Sequence, residues 1–372
     1  MTPAGRPSRA AIHERLEAQV AELKTRLGGL PLPDEAEQIW NEIWHHEAHH
    51  STALEGNTLV LSQVEQLLAE GKAVGSKDLK EYLEVTGYAK AAQWVYAEAL
   101  RPRAQANLPL LTLQEVRHVH HEVMSDVWAV APHPNASVDE SPGNWRRHDI
   151  HPFPSGMEPP TFPLVPSEMA SWVSAAAALG AEVEPIAERV GALHAAFERI
   201  HPFIDGNGRT GRLLANLVLV RLGYPPAIIY KRQRAQYLKA LARADSGDPA
   251  PIGEIWARAI LDNLMRFVLP AVAGNVKLLP LEALTGSGLS VVALRHAARR
   301  GALTAKRQAN GEWLSSKKWA DEYLKSRWKG LRKETQPAAA AVPATVPIRR
   351  LRQASAQGAQ ANRHTAGRRA RT

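Results

Sequence analysis

His201-Pro202-Phe203-Ile204-Asp205-Gly206-Asn207-Gly208-Arg209-Thr210-Gly211-Arg212 brings together a base, a carboxylate, an amide and two arginines around small, flexible residues. The apolar run from Leu213 to Leu222 follows at once. A glycine-broken polar loop that opens into a helix offers an anion backbone N–H groups and the positive end of the helix dipole. Arg209 and Arg212 add bidentate contacts suited to phosphate. Asp205 offers magnesium a hard oxygen. His201 stands just outside this cradle, where a general base can take a proton from an attacking hydroxyl. The plainer reading is a Gly-Asn-Gly turn with a helix-capping histidine. The fuller one is a site for group transfer from a nucleoside triphosphate.

Working outward, helical periods dominate. Patterns over 12–28, 35–55, 60–71, 76–101, 112–128, 167–179 and 184–200 precede the loop, and patterns over 212–222, 232–244 and 251–270 follow it. Only Ser137 to Pro166 reads as Pro-rich and strand-like. The fold class is mainly α, with one small β element. Within the second helix, Ser51 and Glu55 are four residues apart and share a face, with Gly56 as a helix stop. His46-Glu47-Ala48-His49-His50 satisfies the H-E-x-x-H spacing for zinc, but the longer H-x-x-G-x-x-H continuation fails at Ala53 and Gly56.

Position for position, the opening stretch resembles the signature of the Fic (Fido) family, His-Pro-Phe-x-Asp/Glu-Gly-Asn-Gly-Arg-x-x-Arg. The resemblance implies a Fic-type helical bundle over residues 37–270, with a β-hairpin flap beginning at Gly143-Asn-Trp-Arg146. It implies transfer of AMP from ATP, with Mg2+, to a Ser, Thr or Tyr hydroxyl of a protein substrate. His201 becomes the catalytic base and Asp205 the magnesium ligand. Gly206, Asn207 and Gly208 become the phosphate cradle, Arg209 a further phosphate contact and Arg212 the γ-phosphate clamp. Tyr237, with Tyr224 to Tyr230, would line the base pocket. Asp245 stands where close relatives often have Asn, which leaves adenine specificity open. Phosphorylating relatives carry Lys where this chain has Gly208, so the resemblance favours transfer of the nucleotide moiety.

Ser51-Thr-Ala-Leu-Glu55-Gly56 is similar to the family's inhibitory helix, here about residues 40–57. By that resemblance Glu55 swings onto Arg212 and leaves ATP in an unproductive pose. Two further readings stay open: a Fic enzyme that uses another nucleotide donor or removes AMP, and a DNA-binding regulator whose Fic core senses nucleotide. Many autoinhibited relatives are released by dimerising, so a homodimer belongs to the expectations, although no interface signature stands out.

The composition narrows the remaining classes. The chain has 372 residues, 45% of them hydrophobic, enough for a sizeable core. Its lack of cysteine excludes disulfides, thiolate metal sites and cysteine nucleophiles. No run approaches the roughly 20 apolar residues of a membrane helix, and no signal core follows Met1, so a cytoplasmic location without a membrane partner is expected. Of the net charge of +9, the tail after Gly330 supplies nearly all: nine Lys and Arg stand there against Glu334. With almost no aromatic residues, the tail over 330–372 is expected to be disordered.

Between them, residues 278–326 read as a separate unit. Two short helices, Leu281–Leu284 and Ser290–Arg300, precede two strands flanking the Asn310-Gly311 turn, and a last helix begins at Ser316. The order resembles an excisionase-type winged helix, with Arg295, Arg299, Arg300, Lys306 and Arg307 as candidate contacts to DNA. Docking of a protein partner is the competing use. Residues 1–36 would be a leading helix and linker.

Overall fold

The structure, a computed structural model, describes residues 7–33, 35–101, 109–153, 157–180, 185–273, 278–287, 289–307 and 311–334. The chain divides into two compact units, Met1–Leu324 and Lys325–Thr372. Of the expected disordered tail, residues 335–372 lie outside the described residues, as does Asn310 of the expected turn.

Helices build the large core. They are α1 (Arg9–Arg26), α2 (Glu37–Leu54), α3 (Leu61–Glu70), α4 (Leu79–Leu100), α5 (Leu113–Val130), α6 (Val165–Ala177), α7 (Ile186–Ile200), α8 (Asn207–Arg221), α9 (Arg234–Asp245), α10 (Ala250–Asn263) and α11 (Leu269–Ala273). A π turn at Leu264–Val268 joins the last two. None of the described helices is long and apolar enough to cross a membrane.

α8 runs through the middle. It is buried from Asn207 to Val220 apart from Gly208, and it packs on α4, α5 and α7. A helix apolar on every side after its first turns belongs inside a bundle. α4 and α5 come unusually close because Gly87 has no side chain: a Cβ there would meet Val123 O at 2.6 Å. Thr112 and Glu115 form a capping box that fixes the start of α5. Trp40, Tyr88, Tyr96, Phe197, Phe203 and Trp256 are the largest apolar side chains that the core encloses almost wholly.

Two expectations need correction. α8 begins at Asn207, five residues before the apolar run that predicted it at 212. Gly206, at φ 77°, turns the chain directly into the helix, so the polar motif is itself the first turn and a half. The described residues of the flap form no β-hairpin. They hold no strand, only short 3-10 turns at Val138–Glu140 and Phe162–Leu164. Pro152, Pro159 and Pro160 lack the N–H that a ladder needs. Buried Arg146 instead gathers the segment's carbonyls: it donates to His148 O at 3.0 Å and also to Pro160 O.

The β structure lies after the bundle. Strands β1 (Leu278–Pro280), β2 (Lys306–Arg307) and β3 (Trp313–Ser316) form an antiparallel sheet in the order β1-β3-β2. β1 had no signal beyond two leucines and a proline. A 3-10 helix (Leu281–Ser287) and α12 (Val291–Arg299) precede β2, and α13 (Lys317–Glu334) follows β3. Leu281, Leu284, Leu294, Ala297, Leu303 and Trp319 make a second, smaller core there. α13 continues past Ser326, so residues 330–334, expected in the tail, are helical.

Candidate active site

α7 ends in His201, whose φ of 47° is the one positive value at a non-glycine among the described residues. Such a conformation costs free energy and persists only where its surroundings impose it. Arg146 imposes it in part, donating from Nε to His201 O at 2.9 Å. The imidazole Nδ1 lies 3.1 Å from Glu198 O. A carbonyl only accepts, so Nδ1 carries the proton and Nε2 keeps its lone pair. Burial lowers the His201 pKa to about 4, against the opposing pull of Glu198 O and Glu55. The ring is therefore neutral at pH 7, as a base must be. It opens on a groove of about 620 Å3 that is walled also by Ile204, His133, His148, Asp149 and His151.

The loop after His201 is braced from below. Asn207 Oδ1 accepts from Phe203 N at 3.0 Å and its Nδ2 donates to Phe203 O at 2.8 Å. Its side chain thus holds the loop, and only its backbone is left for an anion. His120 stacks flat on Phe203, ring centroids 3.6 Å apart. It accepts from Gly143 N at 2.8 Å and donates to Asp205 O at 3.0 Å. This fully buried histidine, its pKa lowered to about 3 by burial, ties α5 and the flap's root to the loop.

Asp205 Oδ1 accepts from Gly206 N and, at 3.1 Å, from Arg209 Nη2. Burial alone would raise its pKa, but Arg209 and the Gly206 N–H outweigh this and hold it below the ordinary carboxylate value. One ionised carboxylate beside an anion cradle suits magnesium, which takes one or two carboxylates together with phosphate oxygens. Arg209 also faces Glu84 at 3.6 Å. Its Nε and Nη1 are buried and have no hydrogen-bond acceptor among the described residues. Buried donors without acceptors are costly, and a phosphate would satisfy them.

Arg212 is fully engaged. Its Nε donates to Ser51 Oγ at 2.8 Å, and its Nη2 donates to Ser51 O at 2.9 Å and to Glu55 Oε1 at 2.8 Å. Burial opposes its charge, but Glu55 and then Tyr237 offset that, and its pKa stands above the ordinary arginine value. Ser51 of α2 and Glu55, the residue that caps its C-terminus, both named from their spacing, thus meet the second motif arginine. Gly208 faces Glu55 across the same space. Tyr237, expected on a base pocket, is 3% exposed and hydrogen-bonds His194 Nε2, so it packs behind Arg212. Tyr224 is also taken: its hydroxyl donates to Glu17 of α1, with Lys24 over its ring at 4.5 Å.

In the H-E-x-x-H pattern the two histidines stay on one helix face, with ring centroids 6.1 Å apart, but the glutamate leaves them. His46 packs on Phe267 and His50 on Tyr230. Glu47 points to another neighbourhood, accepting from Tyr88, Tyr96 and Asn216. Arg146, His120 and Glu84 are the site residues that sequence reasoning missed. Arg146 lay within a quoted run, but its partners lie up to 55 residues away.

Residues 110–219 match the Fic/DOC family. The chain is 31% identical over 213 residues to a protein named protein adenylyltransferase Fic from Drosophila grimshawi, which covers 56% of this chain and 40% of that protein. It is 27% identical over 273 residues to protein adenylyltransferase fic-1 of Caenorhabditis briggsae, covering 73% and 50%. The chain spans half or less of the length of these relatives. Among solved structures it is similar to Fic-1 of Caenorhabditis elegans, with TM-score 0.55, 26% identity, and coverage of 70% and 72%. A Fic domain containing signaling protein of Bacteroides thetaiotaomicron shares the fold, with TM-score 0.55 and 24% identity. The stretch that runs through α5, the flap and α8, from residue 110 to residue 219, is a domain of the Fic/DOC family.

Proposed function

We propose that this chain is a protein adenylyltransferase held in check by its own second helix. One observation carries the reading: neutral His201 stands beside a helix N-terminus that bears both Arg209, with unsatisfied donors, and Arg212, occupied by Ser51 and Glu55. In the released state a target hydroxyl in the groove gives its proton to His201 Nε2 as its oxygen attacks the α-phosphorus of ATP. The bond to the β-phosphate oxygen breaks and pyrophosphate leaves. The α8 N-terminus and Arg209 would bind the charged phosphates, and Arg212 would orient the γ-phosphate once Glu55 is gone. Asp205 would hold magnesium, which offsets phosphate charge when bound.

In the state described here, Glu55 holds the guanidinium that ATP needs. A charge-assisted hydrogen bond contributes about 1.5–3 kcal/mol. Glu55 keeps 42% of its side chain exposed, so solvent screening favours the lower end. About 1.4 kcal/mol is tenfold in population, enough to suppress most basal transfer.

The test is transfer of label from α-labelled ATP, with magnesium, by four forms: unaltered, Glu55→Gly, His201→Ala and the double substitution. Glu55→Gly should label itself or a lysate protein about tenfold more than the unaltered chain, and the double form should not label at all. Absence of label from every form, with UTP, GTP and CTP also tried, would overturn the reading.

A further inference from the structure

Glu47 lies on α2 about two turns before Glu55, and its side chain is almost wholly buried. Three donors from two other helices close on it. Tyr88 of α4 donates its hydroxyl to Glu47 Oε1 at 2.9 Å, and Asn216 of α8 donates Nδ2 to the same oxygen at 2.8 Å. Tyr96 of α4 donates to Oε2. Asn216 is itself fixed by the chain beyond α8, accepting from Ala227 N at 2.8 Å and donating to Ala227 O at 3.1 Å.

This cluster reaches the candidate active site. Tyr88 also hydrogen-bonds Ser51, whose Oγ accepts from Arg212 Nε at 2.8 Å. Tyr88 gives its one proton to Glu47, so Ser51 is the donor to Tyr88. Arg212, Ser51, Tyr88 and Glu47 thus form one chain of hydrogen bonds with a set direction. Lifting Glu55 off Arg212 by moving α2 would break that chain and expose Glu47 to water. A buried carboxylate is a poor source of stability beside an apolar side chain of its size. Its distinctive property is that it titrates.

We propose, resting on the adenylyltransferase reading above, that Glu47 is the positioning residue of the inhibitory helix and that its proton sets how firmly Glu55 is held on Arg212. Burial raises its pKa to about 7, against the hydrogen bonds of Tyr96, Tyr88 and Asn216 and the charge of Arg212. Those are the titratable and charged groups that face it, since His46 and His50 turn to Phe267 and Tyr230. Once α2 opens, the carboxyl meets water and returns to the ordinary glutamate value of 4.5. The seated helix therefore holds the proton more tightly than the open one. The contribution of Glu47 to seating is full below pH 4.5 and is lost as pH rises through 7. His46 and His50 act in the opposite sense and only below 6.5, so the window from pH 6.5 to 8 reads Glu47 without them.

The test compares the unaltered chain with Glu47→Gln, a neutral side chain of the same shape, each with and without Glu55→Gly. Labelling from α-labelled ATP with Glu55 present is divided by labelling without it, at pH 6.5 and at pH 8, so that the chemistry at His201 cancels. The rise of this ratio with pH should be about fourfold larger in the unaltered chain than in Glu47→Gln. Glu198, which also acts on Arg212 and has its pKa raised to about 8 by burial, is present in both forms and drops out of that comparison. A second readout needs no activity: amide hydrogen exchange over residues 47–55, corrected for its intrinsic pH dependence. Tyr96→Phe removes one donor to the carboxylate and keeps the ring. It should open this stretch about fivefold more than the unaltered chain at pH 8, and hardly more at pH 6.5, where most of Glu47 is protonated. An equal rise with and without the Glu47 carboxyl, or exchange at pH 8 unmoved by Tyr96→Phe, would overturn the proposal. If Glu55→Gly does not label, the transferase reading falls instead, and exchange alone decides what seats α2.

Discussion

Glu55 occupies the space that a side chain at Gly208 would need. A Cβ built on Gly208 falls against Glu55 Oε1, closer than real Cβ contacts come, and lies 3.0 Å from Arg212 Nη1. The glutamate's seat on Arg212 therefore depends on the bare backbone at 208.

Gly208→Ala should accordingly loosen Glu55 from Arg212. Alanine is well tolerated in a helix, so the bundle should stand. Labelling from α-labelled ATP should rise several-fold above the unaltered chain, up to the roughly tenfold ceiling of losing a charge-assisted contact. In a Glu55→Gly background the same substitution should add nothing. A drop in both backgrounds would mean that the methyl blocks the nucleotide and that Glu55 is not displaced first.

What the sequence disclosed was chemistry confined to short stretches. His201 to Arg212 and Ser51 with Glu55 declare themselves because loop, dipole and i+4 spacing are local properties. Arg146 and His120 could not be read so, because what they hold arrives from Gly143, His148, Pro160, Asp205 and the end of α7. The flap failed as a strand for a related reason: extended backbone becomes a strand only when a partner pairs with it, and none of its described residues is paired. The start of α8 was hidden because its first turn and a half, Asn207 to Arg212, is made of polar residues and glycines that carry no apolar period.

Arg146→Ala should damage stability and the site together. The guanidinium is almost wholly buried and serves His201 O, His148 O and Pro160 O. Each carbonyl left dry and without a donor costs about 1–3 kcal/mol. The variant should unfold at markedly lower temperature, and in the Glu55→Gly background labelling should fall because His201 loses its imposed φ. Arg146→Lys, which offers one point charge for a fork, should rescue little of either. A thermal melt matching the unaltered chain would refute this account.

Acid should weaken the fold through α2. Burial lowers the pKa of His46 to about 4, with Arg266 and His49 adding to it, and that of His50 to about 3, with His49 and His46 adding. Above the free-histidine value of 6.5 both are neutral in either state and contribute nothing. Below it the unfolded chain takes up protons that the folded chain refuses, so stability falls from pH 6.5 down towards 4–3. At pH 5.5 the loss is on the order of 1 kcal/mol per histidine after solvent screening, or about 4 °C for the pair. His46→Gln/His50→Gln should flatten the melting temperature between pH 6.5 and 5. An acid slope unchanged by both substitutions would locate the effect elsewhere.

His201 makes the sharpest prediction about the chemistry, because its pKa and its tautomer point the same way. Burial holds the pKa near 4, and Glu55 is among the groups that pull it back up, so removing Glu55 lowers it further. A base must be unprotonated, and kcat/KM reports the free enzyme. In Glu55→Gly, kcat/KM for labelling should therefore stay flat from pH 8 to 5.5. A histidine with the ordinary value of 6.5 would by then have lost about tenfold. Placing a carboxylate where it faces the ring, as Ile204→Glu in the groove wall would do, should raise the acid limb towards neutral pH without abolishing transfer at pH 8. A limb already at 6.5 in Glu55→Gly would mean that the imidazole is solvated in the working enzyme, and that the proton held between Nδ1 and Glu198 O does not set its basicity.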